Sequence, residues 1–392
     1  MKTLQTFLFR LLVVGLFAVP LTTVNGAYLE SDHGSADPSQ PVVPPPRPLP
    51  PTPRPLDNPL RTLVRQVEVG EPARYRGLVV FPLNMRSKEG FGIVTLDSAL
   101  ARGWLTIQEQ DTPSVPTLRT KNTGRSPVFL MAGEILLGGR QNRIVREDVL
   151  LPAESGFVDV PVYCGEQRRW EGGKQVFQSS GNLAGRAVRS MAAKAAPQSE
   201  VWQSIDSQLS SAKVEAPTRN YQAVYDDKEV QRAAAGAVQG LRPVLSRETV
   251  GVVVYSRGRL LSCDVFSDPE LLAQLWDKIC RAQAVDEYVT FGKYVGEDKS
   301  FPWPDRERVR SFLSDIAAAS VASQGTPGSG EALVVSGEAE GRALVWREQV
   351  VHAALFPGRP VEIQPMPRPR PGPGPMPRPP MPIPEPMPRM VE

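Results

Sequence analysis

Short apolar runs separated by glycine, proline, asparagine or serine dominate the chain from residue 78 to residue 163. Their side chains are β-branched or aromatic, and turn signals recur about every dozen residues, which is typical of strands. We therefore predict a β-rich N-terminal half built as a sandwich or a barrel-like unit. The predicted strands cover 78–83, 91–96, 104–109, 115–120, 127–132, 143–151 and 157–163, with one helical turn at 97–101.

The apolar spacing changes to three and four residues in the C-terminal half, which indicates helices. Helical spacing covers 186–213, 227–241, a segment capped by Asp268 with Pro269 in its first turn, and about 305–320. Strands are predicted at 249–255, 259–266, 332–337, 341–346 and 349–356. Helices placed between antiparallel strands indicate an α+β half. The segment 171–186 shows neither the apolar runs of strands nor the apolar spacing of helices, so we expect a surface loop there.

The first 26 residues have the features of a secretory signal peptide. Lys2 and Arg10 precede or flank the apolar stretch 11–19, and Val24 and Gly26 fit the small positions before a cleavage site. The apolar stretch is shorter than the ~20 residues that a membrane span requires. We therefore expect an exported protein, periplasmic or secreted, without a transmembrane span after cleavage.

Proline is concentrated at both ends of the chain. Of 41 prolines, 11 lie between Pro38 and Pro59 and 13 between Pro365 and Pro388. Proline removes donors and fixes φ, so we predict an extended, disordered spacer at 27–59 and a disordered tail at 358–392. The globular α+β domain then covers 60–357. The tail is either a simple spacer or a docking strip for a protein or envelope component.

Charge and residue counts exclude several classes of function. Residues 60–357 hold 36 basic and 35 acidic side chains, which argues against a nucleic-acid-binding face. The chain has three cysteines (Cys164, Cys263 and Cys280) and two histidines, of which only His352 lies in the predicted domain. These counts exclude a disulfide scaffold and a zinc site rich in Cys or His, and they predict neither metal nor cofactor. A lone strand histidine is more often structural than catalytic.

The segment 133–143 departs from ordinary strand-and-turn sequence. Adjacent Gly138 and Gly139 allow close backbone approach. The polar side chains that follow, Gln141, Asn142 and Arg143, supply a dense set of hydrogen-bond donors for a carboxylate, a phosphate or ribose hydroxyls. Either these side chains bind a ligand, or they hold a tight turn together by bonding to neighbouring backbone.

A second polar segment, 162–170, ends the strand predicted at 157–163. Cys164 and Glu166 lie two residues apart and would share a face if the strand continued. Arg169 is a candidate anchor for an anionic ligand and Trp170 a candidate stacking surface. As candidate catalytic groups, Glu134 or Glu166 would act as general acid or base and Cys164 as nucleophile.

These two segments resemble one known family. GEILLGGRQNRIV, DVLLPA and VPVYCGEQRRW are similar to the ADP-ribosylglycohydrolase and rhodanese-phosphatase associated protein domain, first class. VFPL at 80–83, LDSAL at 96–100, WLTIQE and GVVVYSRGRLLSCDVF agree with it, over about residues 70–290. The resemblance implies an association with ADP-ribose-processing enzymes, and hence nucleotide or NAD-derived ligands. It does not imply a reaction, since the family's activity is uncharacterised.

Three functions fit these observations. The first is a binding module for a small anionic or polyhydroxylated ligand, including nucleotides and ADP-ribose-like molecules. The second is a hydrolase or transferase that uses Glu134 or Glu166 with Cys164. The third is a structural or interaction scaffold, in which the polar segments form an internal network and the proline-rich tail makes the contact. The binding module is the preferred hypothesis, because two polar motifs are present but a complete catalytic set is not.

Overall fold

The computed structural model describes residues 58–86, 90–110, 116–169, 176–292 and 301–358. The predicted signal peptide, almost all of the spacer and the tail, and also Trp170, lie outside the described residues. The helices are α1 (Pro59–Gln66), α2 (Leu96–Ala101), α3 (Arg186–Ala193), α4 (Gln198–Ala212), α5 (Gln222–Asp226), α6 (Lys228–Leu241), α7 (Pro269–Phe291) and α8 (Arg306–Ala318). In the described part of the chain, no helix is long and apolar enough to cross a membrane.

Three sheets are built from the described strands. The strands are β1 (Glu68–Val69), β2 (Ala73–Tyr75), β3 (Leu78–Asn84), β4 (Val94–Thr95), β5 (Leu105–Gln108), β6 (Thr117–Asn122), β7 (Val128–Leu130), β8 (Glu134–Gly138), β9 (Arg143–Val145), β10 (Val149–Leu151), β11 (Phe157–Cys164), β12 (Phe177–Leu183), β13 (Thr249–Ser256), β14 (Arg259–Val265), β15 (Ser320–Gln324), β16 (Glu331–Ser336), β17 (Ala339–Trp346) and β18 (Gln349–Pro357). All ladders are antiparallel except the one between β4 and β7. The predicted α+β class, rich in β structure, is confirmed.

The largest sheet joins the two ends of the described chain. Its order is β1-β3-β13-β14-β18-β17-β16-β15, with β2 also pairing to β3. The sequence pattern suggested two successive halves, yet β3, which comes early in the chain, lies beside β13. A strand that is buried along its whole length needs partners on both sides, and local sequence does not say which strands supply them.

This sheet is covered by helices on both faces, as the alternation along β3 requires. Val79 and Phe81 pack with α1 and α8 on one face. Leu78 and Val80 pack with α6 and α7 on the other. The remaining strands form a three-stranded sheet, β10-β7-β4, and a six-stranded sheet, β12-β8-β9-β11-β6-β5.

Several local predictions were wrong. Residues 177–183, expected to be a loop, form β12, whose apolar ends Phe177 and Leu183 are buried while its polar centre bulges at Gly181. The run 143–151 is split into β9 and β10, which belong to different sheets. The helix expected to reach residue 320 stops at Ala318, and β15 follows. α1 was missed because its signal is only eight residues long, although Asn58 caps it and Pro59 occupies its first position.

A chain of four buried charges crosses the core between the large sheet and α3. His352 on β18 contacts Asp148 through Nδ1 (2.6 Å) and Asp264 through Nε2 (3.2 Å). Asp264 also forms a two-point ion pair with Arg189, whose Nη1 lies 3.2 Å from Oδ2. Burial alone would lower the pKa of His352, but Asp148 and Asp264 raise it to about 9. The predicted structural role of this histidine therefore has a specific form: an imidazolium that links two carboxylates.

We expect the free energy of unfolding to fall as pH rises from about 6.5 to 9, by up to about 3 kcal/mol. The folded-state pKa of His352 lies above its unfolded value, so its contribution is complete below pH 6.5 and is lost on passing about pH 9. Urea unfolding at pH 6, 7.5 and 9 measures this slope. In His352→Gln the slope over this range should largely disappear; an unchanged slope in the variant contradicts the assignment.

Candidate functional site

The two polar segments meet where β9 pairs with β11. The register places Cys164 opposite Arg143, so residues far apart in sequence become direct neighbours. The turn between β8 and β9 depends on its glycines. Both have positive φ, and a Cβ on Gly138 would lie 2.5 Å from the Val176 carbonyl oxygen, whereas one on Gly139 would lie 2.3 Å from the Phe177 ring. The predicted close backbone approach at these glycines is therefore to β12 and the residue before it.

Asn142, Glu166 and Arg169 form one half of the motif network, the name used here for the bonded polar side chains of the two segments. Arg169 donates to Glu166 Oε2 through Nε (2.9 Å), to the Gly139 carbonyl (2.9 Å) and to Asn142 Oδ1 (3.3 Å). Asn142 Oδ1 also accepts the Gly138 N–H at 3.1 Å. The guanidinium of Arg169 therefore holds the turn, rather than projecting free toward a ligand.

Gln141, Arg143 and Cys164 form the other half. Arg143 Nη1 donates to the Gln141 carbonyl (3.0 Å) and to Gln141 Oε1 (3.3 Å), which also accepts the Cys164 thiol at 3.2 Å. Arg143 Nη2 lies 3.6 Å from Glu109. Its Nε is buried without a hydrogen-bond partner. The thiol and Glu166 therefore have different neighbours and do not act on a common point.

The motif network also fixes the chain between α4 and α5. Thr218 donates to Glu166 Oε1 at 2.6 Å, and Asn142 Nδ2 donates to Asn220 Oδ1 at 3.1 Å. The Tyr221 N–H donates to the Gly165 carbonyl at 2.8 Å. Gln198, at the start of α4, bonds to the backbone of Cys164 through both ends of its amide. Helices α4 and α5 are therefore positioned by the second segment.

Burial of the motif network is nearly complete. Gln141 and Cys164 are fully buried, and Glu166 is 3% exposed. Only Arg169, with 28% of its side chain exposed, has appreciable contact with solvent. Four clefts on the described surface are lined by other residues. Ligand contact by these side chains stays a prediction, and it would require the network to open.

Glu134 lies apart from the network, at the start of β8. It is fully buried, receives the Met131 N–H at 2.9 Å and pairs with Lys278 Nζ at 2.5 Å. Lys278 also contacts Asp97 at 2.8 Å. Burial raises the pKa of Glu134 and Lys278 acts in the opposite direction. A carboxylate already paired with a buried ammonium is better suited to joining β8 to α7 than to proton transfer.

The environment of Cys164 does not favour a thiolate. Burial raises the pKa of its thiol, and the nearby Arg143 opposes that rise only in part. A nucleophilic cysteine normally has a lowered pKa and some exposure. His352, the one histidine of the described residues, bonds to Asp148 and Asp264. All three cysteines are free and buried.

A polar cleft that the sequence analysis did not single out lies between α3, α4, β14 and the C-terminal end of α7. Its volume is about 850 Å³. Ser204, Ser207 and Ser211 line it from one face of α4, and Arg186 and Arg259 lie on other walls. Asp286 on α7 also lines it, and Phe291 at the end of α7 is 39% exposed. Hydroxyls, two cations, three carboxylates (Glu200, Asp286 and Glu287) and an aromatic edge therefore surround one space.

Asp286 is the unusual group of this cleft. Its Oδ2 accepts the Arg186 N–H, the first of α3, at 2.5 Å. Its Oδ1 accepts no hydrogen bond from the described residues, and a Cβ on Gly185 would lie 2.1 Å from it. Burial raises the pKa of Asp286 to about 6, because the single backbone donor and the nearby arginines only partly replace its hydration. Such a carboxylate in a cleft is characteristic of functional sites.

Tyr221 connects the motif network to this cleft. Its backbone N–H bonds to Gly165, whereas its hydroxyl donates to Gln208 Oε1 (2.8 Å) and accepts the Gly185 N–H (3.0 Å). Gln208 lines the cleft, and Gly185 caps the helix that Asp286 contacts. The sequence motifs therefore contact residues that line this cleft or adjoin it.

Two sequence signals could have indicated the cleft. Ser204, Ser207 and Ser211 recur at helical spacing on the face of α4 opposite its apolar stripe. Asp286 and Glu287 interrupt the long, largely apolar helix α7. Both signals are also common on solvated helix faces, so neither distinguishes a cleft before the helices are packed. Among the described residues, no group of three or more Asp, Glu, His or Cys side chains is arranged to hold a metal ion.

Comparison with known proteins identifies one family. The sequence model of the ARG and Rhodanese-Phosphatase-superfamily-associated Protein domain matches residues 66–356. This match confirms the resemblance inferred from the two polar segments and extends it through β18. No curated protein and no solved structure matches the chain.

We expect Asn142→Ala to lower the free energy of unfolding by about 2–4 kcal/mol. The truncation leaves Arg169, Asn220 and the Gly138 N–H without a shared partner in a buried site, and each lost bond costs about 1 kcal/mol or more. Urea unfolding measures the change. Asn182→Ala, which removes a partly exposed amide bonded only within its own turn, is the matched control and should change stability by less than about 0.5 kcal/mol.

We expect Asp286→Asn to stabilise the protein at pH 8, by about 1–2 kcal/mol. The raised pKa means that the ionised carboxylate favours the unfolded state, so its unfavourable contribution is present above about pH 6 and vanishes below the unfolded pKa. The amide keeps the acceptor for Arg186. Thermal unfolding at pH 8 and pH 4 tests this, and a variant less stable than wild type at pH 8 contradicts it. Asp264→Asn should show the opposite effect, because Arg189 and His352 lower the pKa of Asp264 despite its burial.

Proposed function

The chain belongs to the ARG and Rhodanese-Phosphatase-superfamily-associated Protein domain family, and we propose that it binds a small polyhydroxylated or anionic molecule in the cleft between α3, α4, β14 and α7. Nucleotides and ADP-ribose-like compounds belong to this class. One observation carries the proposal: a partly buried carboxylate, Asp286, has an oxygen without a donor among the described residues and lies beside hydroxyl and guanidinium groups.

The chemistry of the walls supports this class of ligand. Serine hydroxyls both donate and accept, so the row on α4 can match the hydroxyls of a sugar in more than one orientation. Arg186 and Arg259 provide charge for a phosphate or carboxylate. Phe291 is 39% exposed; the Arg257 guanidinium covers one face of its ring at 3.9 Å from the centroid, and the rest of the ring is available for contact with a sugar or base. A volume of about 850 Å³ lies within the range of small-molecule sites.

The motif network has a supporting role in this proposal. Asn142 and Glu166 bond to Asn220 and Thr218 between α4 and α5, and Tyr221, the next residue, bonds to Gln208 and Gly185. Their direct contact with ligand, including stacking on Trp170, remains the competing assignment. The supporting role and the direct-contact assignment predict that different variants lose affinity for the ligand while remaining folded.

We further propose that the protein acts outside the cytoplasm, on the strength of the signal-like segment 1–26. In that setting the proline-rich tail would hold the domain at a distance from, or dock it to, a protein or envelope component. The spacing of proline at nearly every second position, together with Arg368, Arg370, Arg378 and Arg389 of the tail, supports such contact.

The two alternatives have less support. A hydrolase or transferase using Glu134, Glu166 and Cys164 would need at least one of them accessible, whereas each is buried and bonded within the fold. A purely structural role fits the motif network itself. It does not account for a carboxylate of raised pKa, Asp286, beside an open cleft.

A thermal-shift panel on the full chain tests the proposal, with ADP-ribose, NAD, nucleotides and sugar phosphates as probes. A ligand at 100 times its dissociation constant stabilises the folded state by about 2.7 kcal/mol. We expect Arg259→Ala and Ser207→Ala to abolish or strongly reduce the shift, because both remove only cleft-facing contacts. Arg247→Ala, an exposed arginine away from the cleft, is the control.

Three results would contradict the cleft assignment. They are a flat panel, a shift that persists in both cleft variants, and a shift that is lost in a folded Arg143→Ala variant but kept in Arg259→Ala. The last result would instead support binding by the motif network.

A further inference from the structure

The nine-stranded sheet ends in an edge strand, β15, that is paired on one side only. Among the described strands, β15 pairs with β16 along its full length, from Ser320 opposite Ser336 to Gln324 opposite Ala332. The outward row of its backbone N–H and C=O groups is therefore available. An open row of this kind is a template for another strand.

The opposite edge of the same sheet is protected. There the chain supplies β1 and β2, of two and three residues, and both carry charged side chains, Glu68 and Arg74. Short, charged strands are the usual protection against edge-to-edge association. β15 has five residues, SVASQ, with no charge, proline or glycine. The two edges of one sheet therefore differ in the features that prevent pairing.

The side chains of β15 lean back over their own sheet. Gln324 accepts a hydrogen bond from Arg342 Nη2 at 3.0 Å, and Ser323 bonds to Glu331. Val321 is buried in the core beneath α8. The strand is thereby fixed in an extended conformation, and these polar side chains are drawn toward β16 and β17 rather than folded over the edge.

The chain's own tail is a poor occupant of this edge. Thirteen prolines lie between Pro365 and Pro388, and each lacks the N–H that a ladder requires. A second β15 has no such defect. Paired antiparallel about Ala322, it places alanine opposite alanine, Val321 opposite Ser323 and Ser320 opposite Gln324, with no like charges facing each other.

We propose that β15 is a dimerisation edge, at which β15 of a second copy pairs antiparallel across a two-fold axis at Ala322. The two nine-stranded sheets become one continuous sheet, and the contact is isologous, so it closes at two copies. The edge lies on β15 beside α8, and none of its residues lines the cleft of the proposed function. Dimerisation is therefore independent of ligand binding.

Sedimentation equilibrium of the full chain over a concentration series tests the dimer. We expect a dimer at about 100 µM, where a contact of micromolar affinity is saturated. In Ala322→Lys two ammonium groups would face each other at the axis, and the dissociation constant should rise at least about tenfold. Ala318→Lys, an exposed alanine at the end of α8, is the control and should leave it unchanged.

Cross-linking tests the register. Ser320→Cys and Gln324→Cys chains should form a mixed disulfide rapidly when combined and only slowly alone, because position 320 faces position 324 of the other copy. Ser314→Cys, on the exposed side of α8, should not cross-link with Ser320→Cys. A thermal melt of each variant establishes that it is folded.

The proposal is overturned if the wild-type chain is monomeric at about 100 µM. It is also overturned if a dimer forms but folded Ala322→Lys dimerises equally well, or if the 320 and 324 cysteines do not cross-link preferentially. Each of these outcomes would place the association, if any, on another surface of the molecule.

Discussion

Burial of the polar turn after β8 obliges the rest of the chain to supply its hydrogen-bond partners. A buried amide or guanidinium without partners costs several kcal/mol, so Asn142, Arg143 and Glu166 can persist in the core only as members of a bonded set. Arg169, Thr218 and Asn220 complete that set. Because those partners lie between β11 and α5, the requirement also fixes α5 and α4, of which α4 forms one side of the polar cleft.

Two carboxylates, the buried Asp264 and the partly buried Asp286, have pKa values shifted in opposite directions within the same fold. Asp264 is met by Arg189 and His352, which hold its pKa below the usual range. Asp286 receives one backbone donor and has a pKa raised to about 6. Ionisation of Asp264 stabilises the folded state, whereas ionisation of Asp286 destabilises it. Asp286 accepts the first N–H of α3, yet its ionised form opposes folding beside an open cleft, which is why we place function there.

Most strands and the long helices were predictable, because β3, β11, β13 and α7 have unambiguous apolar periods and turn or cap signals. The failures occurred where tertiary contacts override the local pattern. β12 has a polar, bulged centre and becomes a strand only because β8 supplies a ladder. The run 143–151 looks continuous, yet β9 and β10 join different sheets. β15 was not predicted: the expected helix ended near its first residue, Ser320, and SVASQ has too few apolar residues to indicate a strand.

The sequence by itself determined the family, the α+β class, the neutral core, the exclusion of histidine-rich or cysteine-rich chemistry, and the two segments that carry the polar motifs. The class, the neutral core and the excluded chemistry follow from composition and periodicity, and the family follows from the resemblance of the motif sequences; all of these are properties of the order of residues along the chain. Tertiary structure alone decided that those motifs are buried and bonded to each other, that β3 lies beside β13, and that Asp286 meets the serine row of α4 across a cleft. These depend on which distant elements pack together, because burial and pairing are properties of neighbours in space and not of spacing along the chain.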